Sequence, residues 1–195
     1  GNSSANSGAG AAGNEGLVNI GNTASASVNF GGGFYMTDGA TVIKAKSGGG
    51  GENINFSAAT TFKTVNDNLT FNNSAIDLAN GANLTVNTGS GNIVLTDIHG
   101  ASAETVSITS TGTVGVQEIG NGAEIATVGI AGSTITLNDN ITTDNNGDVT
   151  LTGAVELDTA NITIDTSATT SGDGGVVTFT STLDGADGTG RNLLI

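Results

Sequence analysis

The groups able to do chemistry in this 195-residue chain are few and unbalanced: Asp and Glu number 18, Lys and Arg 4, and His 1. Polysaccharide cleavage needs two carboxylates converging on one bond, usually with cations to hold the substrate. Here the acids stand singly on separate segments, and Lys44, Lys46, Lys63 and Arg191 are the only cations. A single histidine, His99, gives little basis for a His-centred zinc site or a Ser-His-Asp triad. With no cysteine there is no thiolate nucleophile, thiolate metal site or disulfide framework. The sequence therefore reads as a non-enzyme without a catalytic residue or an organic cofactor.

Calcium is the one ion the sequence suggests. Asp144-Asn145-Asn146-Gly147-Asp148 and Asp184-Gly185-Ala186-Asp187 are oxygen-rich, glycine-containing loops suited to a hard cation. Neither fits the EF-hand spacing or the calcium-binding nonapeptide repeat. Asp144, Asp148, Asp184 and Asp187 are the candidate ligands, though their types and positions are first those of ordinary turn formers. His99, between Ile98 and Gly100, reads as a solvated turn residue. Asn68, Asn72, Asn83, Asn140 and Asn161 open Asn-x-Ser/Thr sequons, which this much Asn, Ser and Thr produces by chance.

The net charge of −14 excludes whole classes of partner. Four scattered cations cannot neutralise a phosphate track, so nucleic acid is not expected. An anionic membrane surface would repel the chain. No apolar run approaches 18 residues, so no membrane-inserted helix is expected. The start, GNSSANSGAGAAG, lacks the basic and apolar regions of a signal peptide and lacks an initiator Met. It suggests a mature product or a section of a longer chain. Glycine at 32 residues is more than twice its usual share of about 7%. Disorder is opposed by a hydrophobic share of 36%, placed at regular intervals.

That regularity indicates the elements that must position any site. Apolar residues come as apolar-x-apolar triplets, short strands with two side chains on one face. One series begins at Leu84, Val106, Val128 and Val149, at spacings of 22, 22 and 21. A second begins at Ile93, Val114, Ile135, Val155 and Val177, at 21, 21, 20 and 22. A third is marked by Ile98, Ile119, Ile141, Ile162 and Leu183, at 21, 22, 21 and 21. Earlier, Ile54 precedes Ile76, Ile76 precedes Ile98, Phe62 precedes Leu84 and Phe71 precedes Ile93, each by 22. In the stretch 168–174 the first series skips a turn. Asn80-Gly81, Asn121-Gly122, Asn146-Gly147, Asp173-Gly174 and Asp184-Gly185 supply tight corners. The absence of proline suits strands that donate on both sides.

Such a repeat cannot bury its own apolar face, whereas stacked rungs bury a continuous column. The fold class implied is all-β, a parallel β-solenoid (β-helix) with three short strands per rung of 21–22 residues, about nine rungs in all. A β-sandwich is the runner-up, disfavoured by the constant spacing. The inward column runs from Leu84 and Val86 through Ile162 and Ile164 to Val177 and Phe179, with Phe56, Phe62 and Phe71 also inside. Thr85, Ser107, Thr136, Thr150, Glu156 and Thr178 face outward. Residues 54–195 form the regular rungs. Residues 1–53 form a less regular part, small-residue-rich and then stranded.

Outward threonine rows on a flat solenoid can bind ice. The outward middles of the second series, Val94, Gly115, Thr136, Glu156 and Thr178, do not make a regular row, so this reading ranks below the others.

NLTVNTGSGNIVLTD (83–97), DVTLTGAVELDTANITIDTSA (148–168) and GGVVTFTSTLDGADGTGRNLLI (174–195) resemble the β-strand repeats of large secreted bacterial surface proteins. These are the filamentous-haemagglutinin-like adhesins and autotransporter passengers. The resemblance implies a secreted, cell-surface, non-enzymatic role. It brings no catalytic residue, and neither the family's secretion domain nor a membrane barrel is evident. Two roles follow: a section or subunit of a surface fibre, or an adhesin module gripping glycan or calcium through its corners. Partners are then the rest of a longer surface polypeptide, further copies stacked head to tail, or a glycan. Phe30, Phe34, Tyr35 and Met36 form the densest aromatic patch, and Leu193, Leu194 and Ile195 an apolar end. These seven are the candidate subunit contacts, the patch being equally readable as core or cap. An open filament would result from a heterologous contact of that kind.

Overall fold

The computed structural model describes residues 17–21, 27–46, 53–101, 104–120, 125–144, 146–159, 161–167, 174–188 and 190–195. Asn145, the pair Asn121-Gly122, Asp173, residues 1–16 and most of the 168–174 stretch lie outside them. Among the described residues every paired strand is parallel to its neighbours, and the chain winds as a β-solenoid.

The chain is followed turn by turn. β1 (Val18–Ile20), β2 (Val28–Phe30) and β3 (Gly33–Thr37) come first, then β4 (Thr41–Lys44), β5 (Ile54–Phe56) and β6 (Thr60–Thr64). β7 (Leu69–Asn72), β8 (Ile76–Leu78) and β9 (Leu84–Asn87) follow, then β10 (Ile93–Val94), β11 (Ile98–His99) and β12 (Thr105–Thr109). After β13 (Thr113–Val116), Ile119 bridges to Ile98 on one side and Ile141 on the other. β14 (Thr127–Leu137) rounds a corner and leads to β15 (Ile141–Thr142). β16 (Val149–Leu157) rounds the same corner one turn later, before β17 (Asn161–Asp165). β18 (Val177–Phe179), β19 (Leu183–Gly185) and β20 (Asn192–Leu194) complete the described chain, with a short 3-10 turn at Ala186–Gly188.

Three faces result. The first stacks β3, β6, β9, β12, the leading halves of β14 and β16, and β18. The second stacks β1, β4, β7, β10, β13, the trailing halves of β14 and β16, and β19. The third stacks β2, β5, β8 and β11, continues through Ile119 to β15, and ends on β17 and β20. The corner shared by β14 and β16 needs glycine. Gly153 sits at φ 131°, and a Cβ there would lie 1.9 Å from the Gly132 carbonyl oxygen of the turn before.

Strand alternation fills the interior. Leu84, Val86, Ile93, Leu95, Val106, Ile108, Val114, Val116, Ile135, Leu137, Val149, Leu151, Val155, Leu157, Ile162 and Ile164 are all buried, as expected. Phe56, Phe62 and Phe71 are buried too. They belong to an aromatic cluster in which Phe30 stacks on Phe56 at 4.9 Å between ring centres and meets Phe62 edge-on at 5.2 Å. Thr85, Ser107, Thr136 and Thr178 are half-buried and Thr150 and Glu156 exposed, the outward side of the alternation.

The register differs from the expected one at both ends. Val177 pairs with Val149, Leu183 with Val155, and Leu193 with Ile162. Val177 therefore belongs to the first series and Leu183 to the second, and no turn is skipped. The chain between β17 and β18 lengthens that turn instead. Ile141 pairs with Ile164, two residues beyond Ile162. Upstream, Leu84 lies on Thr60 and Phe62 on Val86, while Ile93 lies on Leu69 rather than Phe71. A slip of two residues keeps every side chain on its face, so the core reading survives the shift. Val177 and Phe179 are half-buried, because among the described residues nothing stacks on β18.

Turns of 21 residues, as from Ile93 to Val114, lengthen to 28 from Thr41 to Leu69 and from Val149 to Val177. About six turns are therefore made, not the nine that a uniform period of 21 implies. The aromatic cluster yields a stability prediction. Phe56→Ala should cost about 3–5 kcal/mol in a urea titration, whereas Phe34→Ala, at an exposed position, should stay within about 0.5 kcal/mol.

Candidate functional site

Titratable chemistry gathers on the third face. Its outward positions stack in register as Asn29, Asn55, Asp77 and His99, because each follows an inward Val or Ile by one residue. Asn55 Nδ2 donates to Asn29 Oδ1 at 2.8 Å. Asn53 Nδ2 donates to Asp77 Oδ2. His99 Nδ1 lies 3.0 Å from Asp77 Oδ1, with both side chains about one-third exposed, 33% and 36%. His99 is thus a strand residue anchored by a carboxylate, not the solitary turn histidine that the sequence suggested. An imidazole tied at one nitrogen keeps its tautomer and ring plane fixed. No hydroxyl nucleophile bonds to it among the described residues. The spacing of 22 between Asp77 and His99 was the signal available, since it equals the repeat.

A second set of polar groups lies at the corners and joins consecutive turns. Asn68 Oδ1 accepts from Asn92 N at 2.8 Å, and Asn92 Oδ1 accepts in turn from Thr113 N at 2.9 Å. Asn83 serves Thr105 N at 2.8 Å and Asn140 serves Thr163 N at 2.7 Å. Asp148 Oδ1 accepts from Val176 N at 2.8 Å. In each case a side-chain oxygen takes the backbone N–H of the following turn, a partner that the corner would otherwise leave without one. Buried hydroxyls close the corners from inside. Thr88 and Ser110 both donate to the Gly91 carbonyl, Ser110 at 2.7 Å, and Thr143 donates to the Gly147 carbonyl at 2.7 Å.

Glu104 is the residue that sequence reading missed. It is fully buried, with 0% exposure. Its Oε1 accepts from Gly81 N at 2.8 Å, its Oε2 accepts from Ala101 N, and its backbone carbonyl accepts from Ala126 N at 2.8 Å. One residue therefore ties together three successive turns.

The proposed calcium ligands make the bonds of turn-forming aspartates. Asp144 accepts at its carbonyl from Gly147 N at 2.7 Å. Asp184 Oδ1 accepts from its neighbour Gly185 N at 2.8 Å. Asp187 holds a φ of 58° in the 3-10 turn. Among the described residues no three His, Cys, Asp or Glu converge on a common point.

The proposed contact residues divide. Phe30 points into the core, and Tyr35 is half-buried against it. The patch is dense because the core needs those rings. Tyr35 and half-buried Met36 line a cavity of about 140 Å³ with Ile20 and Phe62. Phe34, Leu194 and Ile195 are exposed, and Leu193 packs against the core. Lys44 and Lys63 stand on different faces, in β4 and β6.

Two surface features complete the inventory. The first face carries outward hydroxyls at Thr85, Ser107, Thr150 and Thr178, interrupted at Gly129. Between the second and third faces, Asn72, Asn73, Asp97 and Gln117 line an open groove of about 340 Å³ beside the exposed Val94. No helix among the described residues is long and apolar enough to cross a membrane. No family model matches the chain, and no curated protein or solved structure matches it.

The turn-to-turn bonds predict a graded response. Glu104→Ala should lower stability by about 1–3 kcal/mol, because the Gly81 and Ala101 N–H groups both lose their acceptor, and Asn92→Ala by about 0.5–1.5 kcal/mol. Urea denaturation followed by far-UV circular dichroism measures both.

Proposed function

We propose that the chain is a non-enzymatic, extracellular structural element, a β-solenoid section of a bacterial cell-surface fibre. One observation carries this reading: at several corners a side-chain oxygen accepts the backbone N–H of the following turn, as Asn68 does from Asn92 and Asn92 from Thr113. Together with the backbone ladders, they load the rod along its axis through many parallel bonds. The resemblance of 83–97, 148–168 and 174–195 to the repeats of secreted surface proteins supports the location. Stacking of further turns or copies on the open strand edges would extend the rod.

The groove beside Val94 supports a second role in binding. Asn72, Asn73, Asp97 and Gln117 offer donors and acceptors beside the exposed Val94, chemistry suited to a hydroxyl-rich ligand such as a glycan.

Electron microscopy of surface material from cells producing the protein, with its intact mass, tests the structural role. The expected result is an extended rod or fibre outside the cell, labelled by antibody to the solenoid, with a strand-stacking repeat near 4.8 Å. Label confined to the cell interior, on compact particles, would contradict it.

A further inference from the structure

Charge is spread unevenly along the chain. Residues 1–66 hold Lys44, Lys46 and Lys63 against Glu15, Asp38 and Glu52, so the whole net charge of −14 belongs to residues 67–195. On the second face this becomes a polarity. Lys44, half-buried in β4, follows the inward Ile43 by one residue. Toward the other end, the exposed Asp158 follows the inward Leu157 by one residue, at the same place along its strand, with Glu156 and Asp184 exposed beside it. Thr70, Val94, Gly115 and Thr136 lie outward between them without a charge. Among the described residues the other faces lack this arrangement. Lys63 on the first face has Thr150 and Thr178 at its far end, and the third carries Asp77 and Asp165 with no lysine.

A face of this kind complements itself when a second copy is laid on it with its axis reversed. A two-fold axis along the strands, between β10 and β13, sets Lys44 over the partner's Asp158 and Thr70 over the partner's Thr136. At the centre it sets Val94 over the partner's Gly115. Val94 is 46% exposed. Gly115 is a hollow, since a Cβ there would have one atom within 4 Å, the Ile93 carbonyl oxygen at 3.9 Å. Copies laid parallel would put lysine on lysine and aspartate on aspartate, so charge selects the reversed arrangement. The strip from β1 to β19 is roughly 35–40 Å long and about 12 Å wide with its side chains, so two copies would bury roughly 900 Å² in total, the size of a weak, reversible contact.

We propose that the second face is the contact between two antiparallel copies of this chain, with Lys44 paired to Asp158 of the partner subunit at both ends and Val94 seated over Gly115 at the centre. The contact is lateral, so it goes beyond the structural reading above and leaves the open strand edges unused.

Sedimentation equilibrium of the full chain tests it, from about 10 μM to about 1 mM protein at about 50 mM salt, where charge pairs are little screened. The expected result is a reversible monomer–dimer equilibrium that stops at two copies. The axis brings each charge pair together twice, so Lys44→Glu alone or Asp158→Lys alone creates two like-charge contacts and should weaken the dimer about tenfold or more. Both changes in one chain restore opposite charges and should return association to near its original strength. Val94→Asp places a charge at the centre of the contact and should also weaken it about tenfold or more. Far-UV circular dichroism and the urea midpoint should stay unchanged in every variant, because these positions face outward in the single chain. A chain that stays monomeric at the highest concentration overturns the proposal. So does an open series of higher oligomers, a dimer indifferent to the single charge changes, or a double variant that fails to recover.

Discussion

Each turn of this chain can bury its aliphatic pair only if the next turn lays the same positions on top of it. That in-register stacking is the constraint on which the rest depends. It keeps the strands parallel, because a chain winding one way always returns in the same direction. It keeps apolar residues two apart, because the pleat sends alternate side chains to opposite sides. It also forces the corners to be small or self-bonding, since their backbone groups have no ladder of their own. Gly153 against the Gly132 carbonyl shows the steric side of that demand, and Asn92 against Thr113 the hydrogen-bonding side.

The same constraint explains why polar groups gather in rows. An outward residue inherits the neighbours that its register assigns, so Asp77 meets His99 and Asn55 meets Asn29 across a full turn of chain. Charge and hydrogen bonding then run along the rod rather than into a cleft.

The solenoid and its core were legible in the sequence because the triplets from Leu84 to Ile164 recur with almost no change of spacing. What failed to show was offset. Between β17 and β18 the extra chain makes the next triplet arrive at an interval that happens to match another series. Val177 therefore read as a neighbour of Val155 while it lies on Val149. Near Phe62 and Phe71 the slip is two residues, invisible to a pattern of period two. Glu104 was illegible for a different reason. A single glutamate in a small-residue corner looks solvated until Gly81 N of the turn before and Ala101 N of its own corner are known to point at its carboxyl. The aromatic patch was visible, but only the stacking of Phe30 on Phe56 turns part of it inward.

The register is the central claim, and the absence of cysteine makes it directly testable. Pairs of cysteines labelled with pyrene give excimer emission only when the two positions adjoin. Thr85→Cys with Ser107→Cys, and Thr150→Cys with Thr178→Cys, occupy facing positions on neighbouring strands about 4.8 Å apart. Both pairs should give strong excimer bands that vanish in urea, whereas Glu156→Cys with Thr178→Cys should give none. Excimer emission from the Glu156 pair, or its absence from the other two in the folded chain, would contradict the stacking described here.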